Sequence, residues 1–363
     1  MARALSETFG SSLSSLIVQP ESLHQDLNRF DCIIDVRSPA EFALDHIPGA
    51  INCPVLSNEE RAQVGAIYKQ ESPFAAKKIG AALVAKNIAS HLQDNFLDQD
   101  RGWTPLVYCW RGGERSGAFT HILQRIGWKA HQLRGGYQEY RRQVIKDIDH
   151  WVGQLHFRVI CGMTGSGKTR LLQALKAHAQ VLDLEELAAH RGSVLGGLPN
   201  QEQPSQKAFE TALWNAIRDF DRQQIIYVES ESKKVGGLHI PDTLMEKIRN
   251  SECLEIQAER SVRVDCLMEE YAHFLEDHQA LESLLALLTQ RYGKEQIAKW
   301  QTLSQEKHFQ TLVDELLVSH YDPAYTDSIQ RNFPNYASAQ RCVLQSAKPA
   351  AYQALAQQIL GLN

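Results

Sequence analysis

Apolar positions along the chain follow two patterns, which together predict a mixed α/β fold. Short apolar runs predict strands; they read DCIIDV, PLVYC and HQL early in the chain, and FRVIC, VLDLE and IIYVES later. Between them, apolar residues recur three or four positions apart, as at Leu171, Leu172 and Leu175, which is typical of helices that pack one face on a core. Strands that alternate with helices favour parallel sheets. From Val262 onward the helical spacing dominates, so the C-terminal part is predicted to be mostly helical.

The length of 363 residues predicts two or three domains, at ~150 residues per domain. A charged, partly helical stretch near residue 150 is interpreted as a connector. We therefore expect a first domain over 1–145, a connector over 146–155, a second domain with a helical extension over 156–325, and a C-terminal tail and helix over 326–363.

The composition excludes several classes of protein. Hydrophobic residues make up 43% and charged residues 22%, which is ordinary for globular domains. No apolar stretch approaches the ~20 residues that a membrane span requires, so no membrane partner is expected. Seven cysteines without a Cys-x-x-Cys pair fit neither a disulfide framework nor a zinc finger, and we expect reduced thiols. The first residues, MARALSETFGSS, lack the apolar region of a secretory leader, and we expect a cytoplasmic protein.

The overall charge is slightly negative, with 38 Lys and Arg against 43 Asp and Glu and a net charge of −5. A nucleic-acid partner would therefore bind a local basic cluster rather than respond to the overall field. The candidate basic residues are Arg141, Arg142, Lys146, Lys233 and Lys234.

The segment YCWRGGERS places Cys109 at the end of a predicted strand and before a predicted helix. Two arginines and a helix N-terminus all favour a thiolate, so Cys109 is the candidate catalytic nucleophile among the seven cysteines. The other six lack this setting and are interpreted as core residues. The expected anion-binding loop comprises Trp110, Arg111, Gly112, Gly113, Glu114, Arg115 and Ser116.

Some side chains near this loop have more than one interpretation. Trp110 either stacks on a nucleobase, covers the cysteine or packs locally. Glu114 is either a proton donor or a solvated charge, and the solvated charge is favoured. Asp35 and Arg37 either brace the loop by an ion pair or are ordinary polar residues at a strand end.

The segment GMTGSGKT satisfies the Walker A pattern between a predicted strand and a predicted helix. Its backbone N–H groups are expected to hold a diphosphate, Lys168 to neutralise it, and the Thr169 hydroxyl to reach a Mg²⁺ ion if one binds. The expected diphosphate-binding residues are Gly162, Thr164, Gly165, Ser166, Gly167, Lys168 and Thr169.

Three further charged residues are candidates for the phosphate site. Glu229 ends the predicted strand IIYVES, where a Walker B acid would lie, and Glu231 is the alternate. Arg260 is either a second phosphate clamp or a surface residue. The Walker A pattern alone leaves open whether ATP or another diphosphate binds.

The segments IIDVRSPAEFALDHIPGAIN and LRGGYQEYR resemble the rhodanese signature and the closing Gly-Gly segment of that fold. The resemblance implies a rhodanese-like first domain whose loop cysteine, here Cys109, carries sulfur or selenium as a persulfide or perselenide. Five residues separate Cys109 from Arg115, one more than in the usual sulfurtransferase loop and as many as in rhodanese-fold phosphatases. A cysteine phosphatase is therefore an alternative.

The order YCWRGGERS, GMTGSGKT, LEELAAHRGS and QPSQKAFE is similar to that in the tRNA 2-selenouridine synthase family, and the resemblance extends from about Asp31 to Tyr325. It implies a rhodanese-like domain fused to a P-loop NTPase-like parallel-sheet domain. It also implies that selenium replaces sulfur at C2 of wobble 2-thiouridine in tRNAs for Lys, Glu and Gln.

In that family reaction, geranyl diphosphate alkylates the sulfur, and selenophosphate then supplies selenium through a Cys109 perselenide. An enzyme that makes selenophosphate would be a partner. Two alternatives remain: a rhodanese-type sulfurtransferase or cysteine phosphatase coupled to an ATP-dependent P-loop kinase, and a non-catalytic, nucleotide-gated RNA-binding protein.

Overall fold

The computed structural model describes residues 16–192, 197, 201–272 and 278–361. The strands are β1 (Ile17–Val18), β2 (Cys32–Asp35), β3 (Ala50–Asn52), β4 (Pro105–Tyr108), β5 (His131–Leu133), β6 (His156–Cys161), β7 (Gln180–Leu182), β8 (Ile225–Glu229), β9 (Lys234–Val235), β10 (Leu238–His239), β11 (Glu252–Ala258) and β12 (Gln340–Leu344).

The α-helices cover most of the remaining described chain. They are α1 (Leu23–Asp26), α2 (Pro39–Leu44), α3 (Asn58–Gln70), α4 (Pro73–His91), α5 (Glu114–Ile126), α6 (Gly136–Val152), α7 (Lys168–Lys176), α8 (Leu184–Ala188), α9 (Gln206–Arg218), α10 (Asp242–Arg249), α11 (Arg260–Glu270), α12 (His278–Ala286), α13 (Thr289–Gln305), α14 (Phe309–Leu316), α15 (Asp322–Asn332) and α16 (Pro349–Leu360). The turn Leu317–Tyr321 is a π-helical segment between α14 and α15.

The chain divides into two compact units, and the division does not follow the sequence strictly. The first unit comprises the chain up to Ile148 together with Ser205–Arg218, and the second comprises Asp149–Pro204 and the chain from Asp219 onward. The boundary after Ile148 falls inside α6, so the segment 146–155, expected to be a connector, is for the most part the last turns of a helix.

The first unit is built on a five-stranded parallel sheet in the order β1-β5-β4-β2-β3. All four residues of β4 are buried, as expected of a central strand covered on both faces. Phe119 and Leu123 of α5 pack with Ile34 and Val107 of the central strands in one core. Cys109 therefore follows the strand at the centre of the sheet.

Helix α9 lies in the sequence between strands of the second unit but packs within the first. Its Trp214 is 1% exposed, donates through Nε1 to Asp147 Oδ2 (3.0 Å), and meets the Tyr140 ring edge-on at 5.8 Å between centroids. Its Thr211 donates to Asp45 Oδ2 (3.1 Å), and its Glu210 forms an ion pair with Arg141. These bonds complete a buried network in the first unit that the N-terminal segment alone does not supply.

The second unit has a five-stranded parallel sheet in the order β12-β11-β6-β8-β7. Strand β6, which leads into the Walker A segment, lies in the centre, with β8 and β11 on either side. Strands β9 and β10 form a separate antiparallel hairpin. A second cluster, built from residues such as Leu285, Trp300, Leu312 and Leu316, holds the C-terminal helices together.

The segment 326–363, expected to be a tail with a helix, contributes to the core of the second unit. Strand β12 pairs with β11, and Tyr352 and Leu355 of α16 pack with Leu172 of α7. The apolar run of β12 is only three residues long, from Cys342 to Leu344, so the sequence gives a weak strand signal for this edge strand. The predicted α/β class with parallel sheets and a helical C-terminal part is confirmed. In the described part of the chain, no helix is both long and apolar enough to span a membrane.

We expect the Trp214→Ala substitution to destabilise the first unit by about 3–5 kcal/mol, because it leaves a cavity and removes one hydrogen-bond donor of the buried Asp147 carboxylate, which keeps its bond from Gln143. Amide hydrogen exchange measures this, and the loss of protection should be larger in β2 and β4 than in β6 and β8. Phe74→Ala is the control, since Phe74 is 71% exposed. Equal loss of protection in both sheets would contradict the assignment of α9 to the first unit.

Candidate functional site

The cysteine loop connects β4 to α5, and the Cys109 side chain is almost completely buried, at 1% exposure. Its sulfur accepts a hydrogen bond from Ser116 Oγ (3.3 Å) and lies 3.6 Å from the carbonyl oxygen of Arg111. Gln132 donates to Ser116 Oγ (2.9 Å) and to the Gly113 carbonyl (3.0 Å), so β5 fixes the far side of the loop. The structure thus brings Cys109 and Ser116 together as expected, and adds Gln132.

The first residues of α6 hold the backbone of the cysteine loop by hydrogen bonds. The Tyr137 amide donates to the Cys109 carbonyl (2.7 Å), and the Gln138 amide donates to the Trp110 carbonyl (2.9 Å). Gly136 has φ of +61°, and a Cβ at this position would lie 2.3 Å from the Cys109 carbonyl oxygen. Only glycine therefore permits this approach of the two backbones.

Asp35 and Arg37 form an ion pair, which is one of their two interpretations, and the pair is fully buried and bidentate. Arg37 Nε lies 3.0 Å from Asp35 Oδ1 and Arg37 Nη2 2.6 Å from Asp35 Oδ2, and the side chains are 1% and 0% exposed. Arg37 Nη2 also donates to the Asp45 carbonyl (2.6 Å), and the guanidinium lies 3.8 Å from the centroid of the Tyr137 ring. The pair therefore positions Tyr137, whose amide holds the Cys109 carbonyl.

Trp110 stacks against Tyr137, with ring centroids 5.4 Å apart, and Lys207 of α9 lies 6.0 Å from its ring. These residues, with Glu41 and Arg61, line a cavity of about 420 Å³ in the first unit. One face of the indole is thus occupied by packing, and its remaining surface borders a space large enough for a nucleoside.

The charged residues of the cysteine loop either face Glu41 or are exposed to solvent. Arg115 Nη1 lies 3.6 Å from Glu41 Oε2, and Arg61 pairs with the same carboxylate (3.1 Å). Arg111 and Glu114 are exposed, which agrees with the favoured interpretation of Glu114 as a solvated charge.

The phosphate loop runs from the end of β6 to Lys168, the first residue of α7. Lys168 Nζ donates to the Gly162 carbonyl (2.9 Å), so the ammonium lies across the loop that it is expected to serve. The Gly162 amide donates to the Tyr325 hydroxyl (2.7 Å). Gly165 has φ of +80°, and a Cβ there would lie 2.8 Å from the carbonyl oxygen of Arg263. The loop is therefore packed tightly against α11.

A chain of carboxyl groups adjoins this loop. Thr169 Oγ1 donates to Glu185 Oε2 (2.9 Å), and the Glu185 amide donates to Glu229 Oε1 (3.0 Å). Glu229 ends β8 as predicted and is 0% exposed, and Glu231 is also buried. Among the described residues, no group of three or more His, Cys, Asp and Glu side chains is arranged to hold a metal ion.

Burial changes the protonation of these acids. It raises the pKa of Glu185 to about 8, and the charge of Glu231 adds to the rise. Burial, followed by the charge of Glu185, also raises the pKa of Glu229 well above its usual range. Glu185 and Glu229 therefore keep their protons at neutral pH, and they do not cancel the positive charge of Lys168.

Two candidate basic residues make other contacts, and the position of Arg260 agrees with its interpretation as a surface residue. Arg260, the candidate phosphate clamp, is 59% exposed and pairs with Asp314 (3.0 Å), whereas Arg263 is 5% exposed and donates through Nε to the Thr164 carbonyl (2.9 Å). The two arginines lie on one helix, and which of them faces the loop depends on how α11 is rotated. Arg141, a candidate for RNA binding, is committed to Glu210 and Asp45 within the first unit.

Comparison with known proteins covers both units. Residues 155–358 match the family model for the tRNA 2-selenouridine synthase AAA domain, and residues 19–143 match that for the rhodanese-like domain. A tRNA 2-selenouridine synthase of Alcanivorax borkumensis is 31% identical over 331 residues, which cover 82% of this chain and 90% of the relative. The chain belongs to the tRNA 2-selenouridine synthase family. The predicted rhodanese-like domain and the family resemblance are thereby confirmed.

Another member of the family, from Nitrosomonas europaea, is 37% identical over 243 residues. This match covers 66% of this chain and 63% of the relative, so the chain spans less than two thirds of that protein's length. Among solved structures, a rhodanese-related protein from Thermoplasma volcanium is 19% identical with a TM-score of 0.23, covering 35% of this chain and 90% of that one.

Within this member of the tRNA 2-selenouridine synthase family, sequence reasoning missed Glu185, Arg263, Gln132 and Tyr137 as site residues. Glu185 carried a signal, because it lies in the segment LEELAAHRGS just after a predicted strand. Tyr137 also lies in a recognised segment, LRGGYQEYR. Arg263 and Gln132 had no such signal in the sequence, because their roles depend on contacts with distant parts of the chain.

We expect Arg37→Met to lower the free energy of unfolding by about 3–5 kcal/mol, because it leaves the buried Asp35 carboxylate without a counter-charge. The control is Arg29→Met, whose ion pair with Asp26 is 50% and 21% exposed and is expected to contribute about 1 kcal/mol or less. Urea denaturation followed by tryptophan fluorescence compares the two. Equal effects would show that the buried pair does not support the cysteine loop.

Proposed function

We propose that this chain is a transferase that converts wobble 2-thiouridine to 2-selenouridine in tRNAs for Lys, Glu and Gln. The observation that carries the proposal is the presence, in one chain of this family, of a cysteine loop after β4 and a phosphate loop after β6. A sulfurtransferase alone leaves the phosphate loop unused, and a kinase alone leaves the cysteine loop unused. A reaction that needs both a diphosphate leaving group and a chalcogen carrier uses both.

In the first step the sulfur of 2-thiouridine attacks C1 of geranyl diphosphate. The new S–C bond forms as the C–O bond breaks, the diphosphate leaves with the electron pair, and the base loses its N3 proton. Lys168 and the backbone N–H groups of the loop stabilise the charge on the leaving diphosphate. The protons on Glu185 and Glu229 keep this site from repelling the anion.

The donors present also suit a Mg²⁺ ion bound with the diphosphate. The Thr169 hydroxyl and the Glu185 carboxyl lie 2.9 Å apart, and Mg²⁺ in such sites takes one or two carboxylates together with phosphate oxygens. Thr169 and Glu185 would hold the ion, Glu185 would release its proton on binding it, and the ion would then add positive charge beside the leaving group.

In the second step a perselenide on Cys109 attacks C2 of the alkylated base. The Se–C2 bond forms, the C2–S bond breaks, and geranyl thiol leaves with a proton. A low-molecular-weight thiol then attacks the Cys109 sulfur and releases 2-selenouridine, which leaves Cys109 in a mixed disulfide. Alkylation prepares this step, because a geranyl thiolate is a far better leaving group than the sulfur of a thiocarbonyl.

The same mixed disulfide serves as the two-electron oxidant when Cys109 is loaded with selenium. Selenium in selenophosphate attacks the Cys109 sulfur, the S–S bond breaks, and the small thiol departs with the electron pair. Water then takes the phosphoryl group and leaves the perselenide and phosphate. The Ser116 hydroxyl, 3.3 Å from the sulfur, donates to whichever anion forms there.

We expect Cys109→Ser to geranylate 2-thiouridine RNA normally and to stop at S-geranyl-2-thiouridine, because a hydroxyl cannot carry selenium. Chromatography of digested RNA, after incubation with both donors and a thiol, measures the intermediate. Cys32→Ser, at a half-buried position of the same unit, is the control and should give 2-selenouridine. A normal yield of 2-selenouridine from Cys109→Ser would remove the cysteine from the selenium path.

We expect Lys168→Ala to slow geranylation by about 10²-fold or more without unfolding the second unit, because the lysine compensates charge on the leaving diphosphate. The control is Lys176→Ala on the same helix, where the ammonium is 42% exposed and pairs with Glu186. The measurement is the initial rate of S-geranyl-2-thiouridine formation. A Lys168→Ala rate close to that of the control would favour the ATP-dependent kinase instead.

A further inference from the structure

An apolar cavity lies beside the phosphate loop in the second unit. Its walls come from α11, α12, α14 and the turn after α14, and its lining side chains include Leu267, Met268, Phe309, Leu312 and Val313. The cavity itself measures about 60 Å³, and it opens into a space of about 580 Å³ that includes its mouth. The helical C-terminal part thus builds an apolar site beside the phosphate loop.

The cavity and the phosphate loop share residues. Thr164, the third residue of the Walker A segment, lines the cavity. Leu267 lines it too, and a Cβ on Gly165 would lie 3.0 Å from Leu267 Cγ. Arg263 fixes this junction, because it donates to the Thr164 carbonyl (2.9 Å) and to Asp322 Oδ2 (3.0 Å), next to the turn that forms one wall. A ligand whose head group is bound by the loop therefore has an apolar site within reach.

The chemistry of the walls selects the class of ligand. A nucleoside carries a ribose and a base whose hydrogen-bonding groups would lose water against apolar walls without gaining partners. A hydrocarbon chain loses nothing there, and each methylene that it buries tightens binding about fourfold. An alkyl diphosphate therefore matches the combination of loop and cavity, whereas a nucleotide matches the loop alone.

We propose that this cavity binds the isoprenoid chain of the donor diphosphate while the phosphate loop binds its head group. The proposal rests on the proposed geranyl transfer and assigns Leu267, Met268, Phe309, Leu312 and Val313 to chain binding. The cavity then sets both the affinity for the donor and the length of chain that the protein accepts.

Binding of three ligands to the full chain tests this without any transfer reaction. Isothermal titration calorimetry compares inorganic diphosphate, geranyl diphosphate and the longer farnesyl diphosphate. We expect geranyl diphosphate to bind at least about 30-fold more tightly than inorganic diphosphate, since several methylenes become buried. Equal affinities would overturn the proposal.

Filling the cavity should remove this preference. In Val313→Trp we expect geranyl diphosphate to lose about 10-fold or more in affinity and inorganic diphosphate to stay within about twofold, because the loop is unchanged. Val318→Trp is the matched control, since Val318 lies in the adjoining turn and is 47% exposed. An unchanged preference in Val313→Trp, with the indole in place, would overturn the assignment.

Enlarging the cavity should act in the opposite direction. We expect Phe309→Ala to shift the ratio of farnesyl to geranyl diphosphate affinity toward farnesyl by about 10-fold, because the removed ring makes room for the longer chain. Damage to the fold would weaken all three ligands together, and that result in both cavity variants would contradict a chain-binding role.

The outcome for the cavity is separate from that for the proposed function. If the wild-type chain prefers geranyl diphosphate and Val313→Trp removes the preference, the cavity assignment holds. A failure to geranylate 2-thiouridine RNA would then contradict only the proposed transfer reaction. If RNA is geranylated equally well by Val313→Trp and the wild type, the reaction holds and the cavity assignment fails.

Discussion

Close packing of backbone against backbone at glycine is the constraint on which both loops depend. At Gly136 the start of α6 approaches the Cys109 carbonyl so closely that a Cβ would lie 2.3 Å from its oxygen, and this contact allows the Tyr137 amide to hold that carbonyl. At Gly165 the phosphate loop presses on α11 in the same way. The backbone of the cysteine loop is thus fixed by α6 and that of the phosphate loop by α11, so the side chains of both loops are not needed to hold the backbone in place.

The two loops stand beside buried acids that are stabilised in different ways. In the first unit the buried Asp35 carboxyl group is paired with the guanidinium of Arg37. In the second unit no ion pair of Glu185 or Glu229 is found among the described residues, and burial raises their pKa so that they keep protons. The first arrangement gives a rigid support for the cysteine loop. In the second arrangement, Glu185 and Glu229 do not cancel the positive charge of Lys168, which is expected to bind an anion.

Helix α9 belongs to the first unit, although in the sequence it lies between two segments of the second unit. A helix encoded between β7 and β8 supplies Trp214, Thr211 and Lys207 to the first unit, where they complete a buried network and border the cavity beside Trp110. The first unit therefore depends on residues encoded well after the rhodanese-like segment. Within the second unit, the helices after β11 contribute the apolar walls beside the phosphate loop.

The sequence by itself determined the features that are local in the chain: the strand, glycine loop and helix around Cys109 and Lys168, and the acid of Glu229 at a strand end. These local features are specified by residues that are neighbours in the sequence, so they can be predicted without knowledge of the fold. Tertiary structure decided the rest, namely the place of α9, the pairing of β12 at the sheet edge, the choice of Arg263 over Arg260, and the apolar cavity. Each of these depends on the rotation of a helix or on contacts between residues far apart in sequence, which no local pattern encodes.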